Sequence, residues 1–98
     1  GTTFYVDLES IRKHGGYVYF WELTEYLKPI PNMPLSLKVY RQGDCKVFGT
    51  KTLREIYYKQ PMGEGKGTEQ ILTEYQKNWI YPAPGTIGET ELKTVCSH

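Results

Sequence analysis

The sequence has little of what would settle a function early. It holds two cysteines, two histidines and two methionines in 98 residues. No run approaches the ~20 apolar residues that a membrane-crossing helix needs, so no membrane-spanning segment is expected. Neither charge sign dominates: 12 Lys+Arg stand against 11 Asp+Glu, a formal charge of +1. That balance gives no general pull toward nucleic acid or anionic lipid, and no nucleic-acid partner is expected. Cys45 and Cys96 lie too far apart for a CxxC redox pair. The close ligand pairs of structural zinc sites are absent too, so neither metal nor cofactor is expected. Gly63-Glu64-Gly65-Lys66-Gly67 is not a phosphate loop: a dinucleotide fingerprint needs glycine where Thr68 stands, and a P-loop needs Ser or Thr after Gly65-Lys66. Gly63, Gly65 and Lys66 read as a flexible loop of unassigned role between strands. No signal peptide is visible, and Gly1 followed by Thr2-Thr3 reads as the start of a mature or trimmed chain.

Catalytic constellations are equally thin. Asp7 with Glu9, or Glu22 with Glu25, offers carboxylate pairs, but such pairs are common on strand and turn surfaces and nothing supplies a partner base. Ser10, His14 and Asp7 contain the residue types of a hydrolytic triad. All three fall within one surface turn, where Asp7 and Ser10 are expected to cap local backbone amides. No catalytic residues are assigned, and the expectation is a protein that is not an enzyme.

What the chain has is aromatic residues, nine Tyr, two Trp and three Phe, spread over short segments rich in β-formers. At 98 residues a single domain, 1–98, is expected. Tyr17 to Leu27 is the best strand: Tyr17, Tyr19, Trp21 and Leu23 fall on one face, and Val18 and Phe20, then Glu22 and Thr24, on the other. Leu35 to Tyr40 alternates cleanly with Leu35, Leu37 and Val39 inward. Gly43 suggests a bulge or a turn. From Val47 to Lys59 the alternation weakens, as in a long edge strand or one with a register change. Phe4-Tyr5-Val6, Gln70 to Thr73 and Trp79-Ile80-Tyr81 read as shorter strands, and Leu8 to Lys13 as a helical turn closing at Gly15-Gly16. One helix is expected, at the end: Thr86 and Glu89 have capping-box spacing, Leu92, Val95 and Cys96 share a side, and Glu89 precedes Lys93 by four. About ten residues long, it is too short to persist undocked.

Cys45 and Cys96 leave three readings: buried free thiols, a disulfide, or chance metal ligands. The limited core of a small domain favours the disulfide, and with it an oxidising compartment. A bond between them would hold the terminal helix on the sheet face carrying Leu35, Leu37 and Val39. The fold class is therefore α+β, mainly β: one curved antiparallel sheet with a single C-terminal helix packed on one face.

Across nearly its whole length the sequence resembles the surface-adhesin protein E family of bacterial envelope proteins. The resemblance is carried by Phe4-Tyr5-Val6-Asp7, by Ser10 to Lys13 with the glycines after it, and by Tyr17 to Trp21. It continues through Ser36-x-Lys38, Asp44-Cys45, Pro61-Met62-Gly63-x-Gly65, and the tail from Trp79 through Pro84-Gly85-Thr86-Ile87-Gly88-Glu89-Thr90 to Cys96. It implies a six-stranded antiparallel sheet, a C-terminal helix tied to it by a Cys45–Cys96 disulfide, dimerisation through the sheets, and residues upstream of the first strand. It also implies adhesion to host matrix proteins such as vitronectin and laminin.

The expectation is thus an exported binding module, periplasmic or at the cell surface and associated with the outer membrane. Its partners would be host matrix or envelope proteins. The alternatives are a small-ligand carrier with the aromatic face as its floor and, behind that, a small periplasmic enzyme. One helix covers one face, so an apolar patch of Val18, Phe20, Tyr26, Tyr57 and Tyr58 is expected on the other, as a binding or homodimer surface.

Overall fold

The computed structural model describes residues 1–98. Its sheet has six antiparallel strands: β1 (Thr2–Val6), β2 (Arg12–His14), β3 (Tyr17–Tyr26), β4 (Ser36–Asp44), β5 (Gly49–Tyr58) and β6 (Thr68–Glu69). They are ordered β1-β3-β4-β5-β6, with β2 also pairing with β3. The helix α1 (Ile87–Ser97) ends the chain. The sheet does not close, because β1 and β6 are not joined.

Pairing between β3 and β4 decides which side of the sheet is core. Glu22 stands opposite Val39 and Thr24 opposite Leu37, so the even residues of β3 share a face with the odd residues of β4. The expected inward face of β4, Leu37 and Val39, is therefore also the face of Val18 and Phe20. α1 lies there. Val18, Phe20, Leu92 and Val95 are each at most 1% exposed and form the core, with Val6, Ile11, Phe48 and Cys96 packed around them. The expectation that Val18 and Phe20 belong to an uncovered patch is corrected. Both faces of early β3 are apolar, and only the partner strand's register distinguishes them.

Gly43 is no bulge. It sits within β4 opposite Val18, where an added Cβ would stand 2.8 Å from Val18 Cγ1 and 3.0 Å from Leu92 Cδ1. Its lack of a side chain lets the helix approach. The irregularity lies in β5, where Tyr40 pairs with Arg54 and Arg41 with Thr52, leaving Leu53 as an extra residue. This bulge switches the alternation. Thr50 and Thr52 share the helix-covered face with Glu55 and Tyr57, and Lys51 shares the opposite face with Arg54, Ile56 and Tyr58. The weak periodicity of this segment has that cause.

Other elements also depart from expectation. Only Leu8–Ser10 forms a helical turn; Arg12–His14 is a strand that returns through Gly15-Gly16 to pair with β3. Gln70 to Thr73 is not a strand, and β6 lies just before it. Trp79 to Tyr81 contributes one bridge, with Thr50 and Ile80 exchanging backbone hydrogen bonds of 2.8 and 2.7 Å.

The helix forms as its signals predict. Thr86 Oγ1 accepts from the Glu89 amide at 3.3 Å, and Glu89 Oε1 accepts from the Gly85 amide at 3.1 Å. Glu89 also reaches Lys93 at 3.8 Å. The far end is held by a Cys45–Cys96 disulfide, which joins the turn after β4 to the last turn of α1 across 51 positions of sequence.

Candidate functional site

The face opposite α1 carries two groups of rings in contact. Trp21 and Tyr40, on neighbouring strands, have centroids 4.9 Å apart; Tyr19 lies 6.3 Å from Tyr40, and Tyr17 lies 5.9 Å from Trp79. The bridge at Ile80 brings Trp79 to the β5 edge. These rings contact one another across strands, where aromatic pairs contribute up to about 1 kcal/mol each. They remain half-buried.

Three cations lie over rings of this face. Lys51 Nζ stands 5.8 Å from the Trp79 centroid, Arg54 Cζ 5.4 Å from Trp21, and Lys38 Nζ 5.3 Å from Tyr58. The quadrupole of a ring attracts a cation there by about 0.5–1 kcal/mol at exposed sites. Arg54 is also held by Glu69 in a two-pronged pair, Nε to Oε2 at 3.1 Å and Nη2 to Oε1 at 2.8 Å. That hydrogen bonding holds the guanidinium above its ordinary range and the Glu69 carboxyl below its own. Lys38 and Lys51 make no ion pair.

One end of this face is a groove of about 500 Å³, with Tyr5, Trp21, Leu23, Lys38, Tyr58 and Met62 in its walls. The turn Pro61–Gly63 forms part of its rim and is tightly fixed. Ser36, fully buried on β4, donates through Oγ to the Gln60 carbonyl at 2.6 Å and accepts from the Gly63 amide at 2.8 Å. The Met62 amide donates to Glu25 Oε2 at 2.8 Å. Gly63 has a φ of +65°, and a side chain on it would meet Lys38. The expected free loop is thus, at Gly63, a clamp on the sheet; Gly65 sits against Gln60, and Lys66 is exposed.

The candidate patch residues separate. Val18 and Phe20 lie under the helix. Tyr26 and Tyr57 are half-buried, and Tyr57 pairs with Leu37 on the same side of the sheet as Phe20. Burial and the nearby Glu55 raise the phenol pKa of both. Tyr58 is on the ring-bearing face beneath Lys38. Tyr17, Tyr19 and Trp21, the apolar stripe of the best predicted strand, are with Tyr40 the residues the helix leaves uncovered.

Candidate catalytic groups do not converge. Glu22 and Glu25 are on opposite faces of β3. Asp7 accepts from the Glu9 amide, and the Ser10 hydroxyl donates to the Asp7 carbonyl and accepts from the Trp21 amide, so both residues cap local backbone as expected. Sequence reasoning missed a different cluster, beneath α1. Glu22, 4% exposed, accepts from Arg41 at 3.3 Å and from Thr24 at 3.4 Å, and Arg41 also donates to Thr52 at 3.0 Å. Glu91 comes down from the helix, and its Oε2 is buried without a hydrogen-bond partner. Its pKa is pushed up to about 9, by burial first and then by Glu22, against the pull of Arg41. Two carboxylates share one cation, and a protonated Glu91 leaves the cluster neutral. A carboxylate in step with Val18 and Phe20 was the available signal, since a buried charge requires a partner.

Among known proteins, the model of the surface-adhesin protein E family matches residues 1–97. Crystal form II of Haemophilus influenzae protein E superposes with a TM-score of 0.77 at 20% identity, over 96% of this chain and 80% of that one. Its selenomethionine form gives 0.74 at 21%, over 96% and 78%. Protein E from non-typeable Haemophilus influenzae gives 0.71 at 20%, over 96% and 69%. At that identity the likeness concerns the fold, including its six-stranded sheet and C-terminal helix. No curated protein matches the sequence.

Proposed function

This chain belongs to the surface-adhesin protein E family, and we propose that it is an exported, non-enzymatic adhesin-like module that contacts proteins through the ring-bearing face of its sheet. The observation that carries this reading is the linked set of Tyr19, Trp21 and Tyr40 on the face that α1 does not cover. Aromatic residues beside cations have the composition of contact hot spots. The disulfide is in keeping with an oxidising location at the cell surface or in the periplasm. The proposed partners are host matrix or envelope proteins.

Binding to immobilised laminin and vitronectin tests this reading. Trp21→Ala with Tyr40→Ala is expected to weaken binding at least tenfold, while Lys93→Ala on the outer side of α1 leaves it unchanged. Equal binding by all three proteins would remove the face from the reading. Two copies meeting through these rings would form the homodimer, so solution mass at micromolar concentration is measured on the same samples. The groove beside Lys38 supports a second reading, a small-ligand carrier. One compound class that raises the melting temperature, with no response to matrix proteins, would favour it.

A further inference from the structure

The ring-bearing face has a charge pattern that narrows its partner. Because Leu53 is an extra residue, Lys51 and Arg54 stand on one side of β5 although three positions apart, and Lys38 joins them from β4 opposite Ile56. The three cations therefore succeed one another along the face at roughly the 7 Å repeat of alternate strand residues. Of the carboxylates on or beside this face, Glu69 holds Arg54, and Glu25, Asp7 and Asp44 accept from the backbone amides of Met62, Glu9 and Lys46. Lys38 and Lys51 are left without an anion, each poised over a ring.

Three kinds of linear anion have this repeat, and the surroundings distinguish them. Nucleic-acid bases need open ring faces, but these rings lean on one another and lie beneath the cations. A sulfated glycan would pair with the lysines and leave the apolar wall of Tyr5, Leu23, Ile56 and Met62 without a counterpart. A polypeptide supplies both. We propose that this face receives an extended segment of a partner protein, with carboxylates four positions apart seated on Lys51 and Lys38 and an apolar side chain in the adjoining groove. The proposal rests on the protein-contact reading above and specifies the partner's chemistry.

The test is a titration of the isotope-labelled full chain with the capped peptide acetyl-Glu-Ser-Glu-Ser-Glu-Ser-Leu-amide. Amide shifts are expected to centre on Trp21, Lys38, Tyr40, Lys51 and Tyr58. Lys38→Ala with Lys51→Ala, its fold checked by circular dichroism, should weaken binding at least tenfold. Serine in place of the peptide's leucine should weaken it several-fold, and lysine in place of its glutamates should abolish it. Shifts elsewhere, equal binding of the lysine peptide, or the same shifts at lower concentration with a heparin tetrasaccharide or oligothymidine would overturn the proposal. Matrix binding that depends on Trp21 but is unaffected by the lysine substitutions would also overturn it, while leaving the contact face in place. Loss of any role for Trp21 would instead remove the face itself.

Discussion

On one side of β3, Val18 and Phe20 lie at 1% exposure beneath Leu92 and Val95; on the other, their chain neighbours Tyr19 and Trp21 stay half-buried with Arg54 over the indole. Hydrophobicity alone does not separate these faces, since both are apolar where they begin. The difference lies in what a helix can dock on. Gly43 leaves room for Leu92 on the first face, and aliphatic side chains from α1 fill the space around Phe20. The second face is built of broad rings and long cationic side chains. Its rings satisfy one another in the plane of the sheet, and its charges require solvent or a partner. One face is organised for burial within the chain; the other is left partly open to solvent, where the proposed contact would lie.

The contrast is broken most strongly from the buried side. Phe20→Ala is expected to cost roughly 3–5 kcal/mol, because a fully buried ring leaves a cavity that the helix cannot fill. Trp21→Ala, one residue away, should cost about 1–2 kcal/mol, because it removes ring contacts but no closed core. Denaturant unfolding of both variants measures the difference, and equal losses would mean that the two faces are packed alike. Removing the disulfide by Cys45→Ser with Cys96→Ser should cost about 2–4 kcal/mol, chiefly by freeing the long loop in the unfolded chain. Hydrogen exchange should then show α1 opening before the strands do. Loss of protection in β3 at the same rate would show that helix and sheet are not separable units.

A further expected effect is one of slope. The folded chain keeps the Glu91 proton up to about pH 9, whereas the unfolded chain releases it near the ordinary value of 4.5. Between those values the folded state binds more protons, so this group's contribution to stability falls as pH rises through the window. Glu91→Gln should flatten the dependence of melting temperature on pH between 5 and 9 and raise the upper end. An unchanged slope would show that the folded chain does not hold Glu91 protonated beneath the helix.

Much of this arrangement was legible in the residues. The alternation in Tyr17 to Tyr26 and Leu37 to Val39, the capping pair Thr86 and Glu89, and the apolar side of α1 each have a local cause, and each appears where that cause places it. The family resemblance supplied the strand number. Which face of β3 would be covered was not legible, because it follows from the register of Glu22 against Val39, a relation between two segments that neither contains. Arg12 to His14 carries no apolar alternation and is a strand only because β3 offers it an edge. The cluster of Glu22, Arg41 and Glu91 joins three elements distant in sequence, and half-burial of the rings reports the absence of a covering element, for which residues have no periodicity.

Leu53 is the smallest feature with the widest reach. A strand with strict alternation has one inside and one outside from end to end, and this one exchanges them midway. Were Leu53 to take its own place in the ladder, everything beyond it would be turned over: Arg54, Ile56 and Tyr58 would go under, and Glu55 and Tyr57 would surface. The outward pattern of this strand therefore depends on one residue being left out of the pairing, and a chain without Leu53 would keep the same faces on a straight ladder.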